Sequence, residues 1–224
     1  MFSRAARMTL ALGSAVFIAG CQGARADDAV PLPDPVHASP LAAVAGRDSV
    51  LLGGGCFWGV EAVFERVNGV VDAVSGYAGG NVRNPSYERV SAGSTGHAEV
   101  VKVVFDPSVV SYADLMKVFF SVVHDPTQLN RQGPDRGTQY RSAVYYASPA
   151  QRAMTEKYID QLTKAKAFSA PIVTEVAPWA QFFQAEAYHQ GYYDLHPSQP
   201  YIVYNDKPKV EALKQQFPAL YRNR

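Results

Sequence analysis

Ser49-Val50-Leu51-Leu52-Gly53-Gly54-Gly55-Cys56-Phe57-Trp58-Gly59-Val60 sets the frame for the rest of the chain. Ser49 to Leu52 is a short apolar strand running into glycines. Past them the hydrophobic period changes, with Val60, Val63, Phe64 and Val67 at helical spacing, so a helix starts near Cys56. Asn68-Gly69 tolerates positive φ and ends it. Further strands follow at Val70 to Tyr77 and at Glu99 to Phe105, the latter closed by Asp106-Pro107. Between them lies a Gly-, Asn- and Ser-rich loop, Ala78 to Gly96. Ser111 caps a helix running to about Val123, with Asp114 at the N3 position of a capping box. His124 to Thr138 is a long polar loop and Tyr140 to Tyr146 a strand. Ser148-Pro149 then opens a helix with Pro at N1, and Ile172 to Val176 is one more strand. The order β-α-β-β-α-β, with a further helix and strand, predicts an α+β fold. Its core is a two-layer split βαβ, ferredoxin-like, with a mixed or antiparallel sheet covered mainly on one face by helices and an extended irregular C-terminal segment. A compact domain rarely keeps two long loops without purpose.

The chain has 224 residues, 47% hydrophobic and 12% aromatic, which suits one sizeable core plus appendages. Its formal net charge is +1 with no run of Lys and Arg, so no nucleic-acid partner is expected. Met1 to Gly20 reads as an address. Arg4 and Arg7 precede an apolar stretch, Thr9 to Gly20, of about a dozen residues, the length of a signal h-region and short for a bilayer span. It ends in Ile18-Ala19-Gly20-Cys21, which resembles a bacterial lipobox with Cys21 as the lipidated residue. Ordinary signal cleavage after Ala24-Arg25-Ala26 is the rival, and a buried N-terminal helix a third reading. Either export route places the mature chain outside the cytoplasm: on the periplasmic face of a bacterial membrane as a lipoprotein, or soluble in the periplasm. Residues 21–47, with Pro31, Pro33, Pro35 and Pro40, form a tether. Residues 48–205 are the expected catalytic domain and 206–224 a helical tail.

Apart from Cys21, Cys56 is the only cysteine. A free thiol with pKa about 8.5 is only a few per cent thiolate at pH 7. Unpaired amides and the dipole of a helix N-terminus favour its anion, and the neighbouring glycines let another molecule approach closely. A buried, inert cysteine is the alternative on position alone.

The pentapeptide Gly55-Cys56-Phe57-Trp58-Gly59 sharpens this. With Gly76-Tyr77-Ala78-Gly79-Gly80, Asn84-Pro85-Ser86-Tyr87, Thr95-Gly96-His97-Ala98-Glu99, His124-Asp125-Pro126 and Gly137-Thr138-Gln139-Tyr140-Arg141-Ser142, it resembles peptide methionine sulfoxide reductase A. Glu186, Tyr188-His189-Gln190 and Tyr193 continue the match, which spans roughly residues 50 to 205. The resemblance implies reduction of the S epimer of methionine sulfoxide, protein-bound or free. Cys56 attacks the sulfoxide sulfur and ends as a sulfenic acid. Glu99 matches the family's acid, and Tyr87 and Tyr140 its two donors to the sulfoxide oxygen. Phe57 and Trp58 match the wall around the S-methyl group, and Asp135 the acidic residue that contacts substrate backbone. His189 is expected to support the site, and His97 and His124 to fix loops. No ligand-spaced set predicts a metal, and no bound cofactor is expected.

The chain departs from many relatives in having no resolving cysteine between Pro197 and Arg224, and Ser91 where some carry one. It reads as a monomeric one-cysteine member regenerated by an external reductant, thioredoxin-like or a small thiol; an unlipidated Cys21 is the other conceivable partner. The alternatives are a cysteine hydrolase using His97, His124 or His189, a cysteine peroxidase, and a lipid-anchored module that binds oxidised methionine without turnover.

Overall fold

The computed structural model of the chain describes residues 30–37 and 41–224. The expected signal segment, the alternative cleavage site and Cys21 lie outside the described residues. In chain order the elements are β1 (Asp48–Gly54), α1 (Phe57–Glu65), β2 (Val70–Ala78), α2 (Tyr87–Ser91), β3 (Ala98–Phe105) and α3 (Tyr112–Val118). Then come β4 (Arg131–Gln132), β5 (Asp135–Arg136), β6 (Ser142–Tyr146), α4 (Pro149–Lys164), β7 (Glu175–Pro178), β8 (Phe182–Gln184), α5 (Tyr192–Leu195) and α6 (Lys207–Gln216).

The six-stranded sheet has the order β7-β6-β1-β3-β2-β8. Each β-α-β connection is split: β3 lies between β1 and β2, and β1 between β3 and β6, all antiparallel, while β7 joins β6 in parallel. The mixed α+β architecture is therefore the expected one. Alternation along the strands sorts their side chains. Val50 and Leu52 of β1 and Val101, Val103 and Phe105 of β3 enter the main core under the helices. Leu51, Val100, Ala98, Ala143 and Tyr145 point the other way and form a second cluster with Trp179 and Phe182. Helices thus cover one face, and the side chains of Trp179 and Phe182 pack on part of the other.

Helix α1 is buried along its length except at Trp58, since it packs on β2 and β3 and also against α6. Val210 and Leu213 of α6 are core residues, so the C-terminal helix is built into the domain. Buried Glu61 is satisfied by the Ser75 hydroxyl at 2.6 Å and the Gly191 amide at 3.0 Å. The Ser111–Asp114 capping box at α3 is complete in both directions. Ser148 caps α4 by accepting from the Gln151 amide at 3.2 Å.

Several boundaries differ from expectation. The helix read to Val123 leaves α geometry after Val118 and widens into a π-helical turn, Phe119–Val123, that delivers His124. The loop from Ala78 to Gly96 contains α2, and the loop from His124 to Thr138 contains the β4–β5 hairpin. Both elements are too short to print a period on the sequence. Thr138–Tyr140 is a 3₁₀ turn, so the strand expected from Tyr140 begins at Ser142. The last expected strand pairs three residues later, at Glu175–Pro178, where β6 offers a free edge.

Residues 30–37 fall within the stretch read as an extended tether, and they lie against the domain. Leu32 is 6% exposed and part of the main core. Tyr158 donates to the Pro33 carbonyl at 2.9 Å. The Gln161 side chain donates to the Asp34 carbonyl at 2.8 Å and accepts from the Val36 amide at 3.0 Å. An extended proline-rich segment leaves its carbonyls unpaired, and α4 supplies donors for them.

Candidate active site

Cys56 occupies the N-cap position of α1 with φ −56° and ψ 127°, and its thiol is free. The glycines before it make room. Gly55 has φ +89°, and a Cβ there would stand 2.6 Å from Gln132 of β4. Cys56 is buried at the start of α1, with the carboxyls of Glu99, Asp206 and Asp135 near enough for their charges to act on it. Next to it, the Phe57 amide donates to Glu99 Oε2 at 3.1 Å, so this carboxyl from β3 sits at the first turn of the helix.

Glu99 is 2% exposed, and burial pushes its carboxyl up to about 8 despite the Phe57 amide, with Asp135 adding to the rise. It is mostly protonated at neutral pH, as a proton donor must be. Cys56 corrects the expectation drawn from the helix end. Burial pushes the thiol well up, followed by the carboxyls of Glu99 and Asp206; the Trp58 amide pulls it down, and Asp135 raises it further. Desolvation and three carboxyls outweigh one helix terminus, so the resting group is a thiol.

Tyr87, the first residue of α2, is placed by Glu186, which accepts from the Tyr87 amide at 2.9 Å and the Tyr77 hydroxyl at 2.8 Å. Burial raises both Tyr87 and Tyr140, and each then feels the charges of Glu99, Cys56 and Asp135. Both phenols are half-buried and neutral, hence proton donors. Asp135 reaches the same space from the β4–β5 hairpin and accepts a hydrogen bond from Tyr201. Cys56, Glu99 and Asp135 thus lie near enough to Tyr87 and Tyr140 for their charges to act on both phenols.

Trp58 donates its indole N–H to His189 Nδ1 at 3.1 Å. It stacks on Tyr192 at 3.8 Å and 7°, with Tyr201 edge-on at 5.9 Å. His189 is 1% exposed and packs on Phe57 at 5.0 Å and Tyr87 at 4.5 Å. Phe57 is also 1% exposed, so it backs Trp58 from within the core. His97 accepts from the Gly80 amide at 3.1 Å and donates to the Val82 carbonyl at 2.8 Å, fixing the loop before β3. His124 bonds Phe119 O at 3.2 Å and Ser142 Oγ at 2.6 Å, and burial depresses it to about 3. Among the described residues, no group of three or more His, Cys, Asp or Glu could hold a metal.

Sequence reading missed Tyr201, Asp206 and Lys209. They lie on a short-segmented stretch with no clear period, although Asp206 is 0% exposed. Tyr201, Gln132, His124 and Lys209 also line a cavity of about 590 Å³ bounded by Val30, Pro31 and Phe168.

The sequence model of the family described as "Peptide methionine sulfoxide reductase" matches residues 48–220. A protein of Mesorhizobium japonicum, peptide methionine sulfoxide reductase MsrA 2, is 54% identical over 80% of this chain and 92% of its own length. The MsrA 2 of Synechocystis is 47% identical over 83% of this chain and 88% of its own. Among solved structures, methionine sulfoxide reductase A of Corynebacterium diphtheriae superposes with TM-score 0.61 at 37% identity, covering 76% of this chain and 85% of that one. Reduced Mxr1 of Saccharomyces cerevisiae gives 0.61 at 34% identity, over 72% and 94%. Family match, fold and the gathered Cys56–Glu99 pair agree, and the chain belongs to the peptide methionine sulfoxide reductase A family, enzymes that reduce methionine sulfoxide.

Proposed function

We propose that Cys56 reduces the S epimer of methionine sulfoxide, free or in oxidised proteins, by direct attack on the sulfoxide sulfur. The observation that carries this is the buried thiol at the N-terminus of α1 beside a protonated carboxyl bound to the next amide. The sulfur lone pair of Cys56 forms an S–S bond to the sulfoxide sulfur while Glu99 gives its proton to the oxygen. Tyr87 and Tyr140 donate hydrogen bonds to that oxygen as its charge grows. The protonated oxygen then passes from the substrate sulfur to Cys56 as the S–O and S–S bonds break, which leaves Cys56 as a sulfenic acid and releases methionine with the S–S electron pair. The substrate sulfur gains two electrons and Cys56 loses two. The proton that the thiol gave up recharges Glu99, so no net proton is consumed.

Trp58 is the half-buried ring left to face the S-methyl group, with Phe57 behind it and His189 holding its indole. Methyl and sulfur against an aromatic face gain about 0.3–1.5 kcal/mol. Asp135 receives the substrate's backbone N–H. Two equivalents of an external thiol, thioredoxin-like or small, then convert the sulfenic acid to thiol, disulfide and water. All these groups come from one chain, which suits a monomer. The leader grammar of Met1 to Cys21 supports export, to the periplasmic membrane face through a lipid on Cys21 or as a soluble protein, where the enzyme repairs exported proteins.

The hydrolase alternative needs an imidazole at the thiol; both ring nitrogens of His97 and His124 are bonded elsewhere, and His189 accepts from the Trp58 indole through Nδ1. Intact-mass analysis after one turnover without reductant tests the scheme. An added oxygen atom on the peptide holding Cys56 is expected. Loss of two hydrogens, as in a disulfide to Cys21, overturns it. Mass spectrometry of the mature N-terminus tests lipidation and export.

A further inference from the structure

Asp206 and Lys209 hold none of the roles assigned above, yet both press on the helix that carries Cys56. Asp206 closes the π-helical turn Ile202–Asp206 that leads into α6, and it is 0% exposed. Its Oδ1 accepts from Lys209 Nζ at 3.2 Å, while Oδ2 is buried with no hydrogen-bond partner among the described residues. A sealed carboxyl with one oxygen unsatisfied is costly to keep, which makes it a candidate for function. Its target is Gly59, the third residue of α1. A Cβ on Gly59 would lie 2.1 Å from Asp206 Oδ1 and 2.9 Å from Lys209 Nζ. The ion pair therefore fills the space that a side chain on the nucleophile's own helical turn would need, and α6 and its leading turn pack directly on α1.

We propose that Asp206 and Lys209 are a positioning pair that sets the charge at the foot of α1, and thereby the fraction of Cys56 ionised before substrate binds. This rests on Cys56 being the nucleophile. Helix α1 offers one positive end, and carboxyls converge on it from three elements: Glu99 from β3, Asp135 from β5 and Asp206 from the turn before α6. Tyr87, Tyr140 and Tyr201 face the same space as neutral phenols. Glu99 is mostly protonated at neutral pH, which leaves Asp206 and Asp135 as the neighbouring candidates for negative charge; burial raises both of these carboxyls too, and Lys209 pulls both back down, with Tyr201 also donating to Asp135. Lys209 would by itself favour a thiolate. Bound to Asp206, its charge is taken up by the carboxylate. The result is a thiol that waits in its protonated form and reacts slowly with stray oxidants. That suits a chain with no cysteine between Cys56 and its C-terminal Arg224 to rescue an oxidised sulfur.

The test is alkylation by iodoacetamide across a pH series, on full-length protein and the variants Asp206→Asn, Lys209→Met and the double variant. Modification is read by mass spectrometry on the peptide containing Cys56, so that Cys21 does not contribute. Asp206→Asn keeps the shape and leaves the ammonium unpaired. Its alkylation midpoint is expected to move to lower pH, and its rate at neutral pH to rise at least about threefold as the thiolate fraction grows. Lys209→Met is expected to give no acceleration, and the double variant to return toward the parent. A pair that merely braces α1 would loosen the helix in both single variants, speeding alkylation in each with no move of the midpoint. That outcome, or an unchanged Asp206→Asn profile, overturns the proposal. Sulfoxide turnover by Cys56→Ser is measured alongside. If it survives, the nucleophile assignment fails, and the alkylation profiles still report separately on the charge at α1.

Discussion

Glu99 carries its proton at neutral pH because burial holds its carboxyl at about 8, against an ordinary 4.5. Two consequences follow at this residue. If the carboxyl supplies the proton to the sulfoxide oxygen, turnover declines as pH passes about 8, and Glu99→Gln, which cannot ionise, loses about 10²–10⁴-fold in kcat. A pH–rate profile of both proteins checks this, and near-parental activity in Glu99→Gln removes Glu99 as the acid. The same raised value has a sign for folding. Between 4.5 and about 8 the unfolded chain has lost this proton while the folded chain keeps it, so the Glu99 contribution to stability falls as pH rises through that window and is flat above it. Urea midpoints across the window should slope less in Glu99→Gln. Cys56 and Glu99 were legible because each lies in a dense motif beside a strand end. The ionisation of Cys56 was not: the helix terminus is local and readable, whereas its opponents Glu99, Asp135 and Asp206 arrive from three distant segments. Asp206 and Lys209 open the stretch read as a helical tail, and nothing in Asn205-Asp206-Lys207-Pro208-Lys209 announces that α6 packs on α1.

The elements that shape the site are small and held by single side chains from far away. Helix α2 spans five residues, below what intrinsic helix stability supports. It starts at Tyr87 because Glu186 receives that residue's amide while also holding the Tyr77 hydroxyl. Glu186→Ala leaves both donors unpaired. It is expected to cost about 1–3 kcal/mol and to raise KM by loosening Tyr87, read by denaturant melts and steady-state kinetics. Helix α3 offers the contrasting case. Removing its cap in Ser111→Ala should cost about 1 kcal/mol with turnover at the parental level, because the capping box lies outside the site. The same contrast explains what could be read in advance. Strands β1 to β3 and the caps of α3 and α4 announce themselves by alternation and local chemistry. Helix α2 and the shifted β7 depend on partners supplied by other segments, and the β4–β5 hairpin is too short to print a period.

At the scale of the molecule, the N-terminal approach to the domain is where composition and structure part most clearly. Prolines at 31, 33 and 35 describe an extended backbone, and it is extended; composition could not say that α4 would receive it. Leu32 is buried in the core and Val30 is half-buried against it, while Val36 is 74% exposed. If the segment is part of the fold, Leu32→Ala in the full chain removes buried surface and leaves a cavity in the main core, at a cost of about 2 kcal/mol, the lower end for such a truncation because the segment can partly collapse. Val36→Ala should change nothing measurable. Equal melting of the two variants would mean that residues 30–37 leave the domain in solution and that the chain behaves as a free tether up to β1. An effect confined to Leu32 would instead make residues 30–37 part of the folded domain in solution, held there by Leu32 in the core and by Tyr158 and Gln161 of α4 on the backbone.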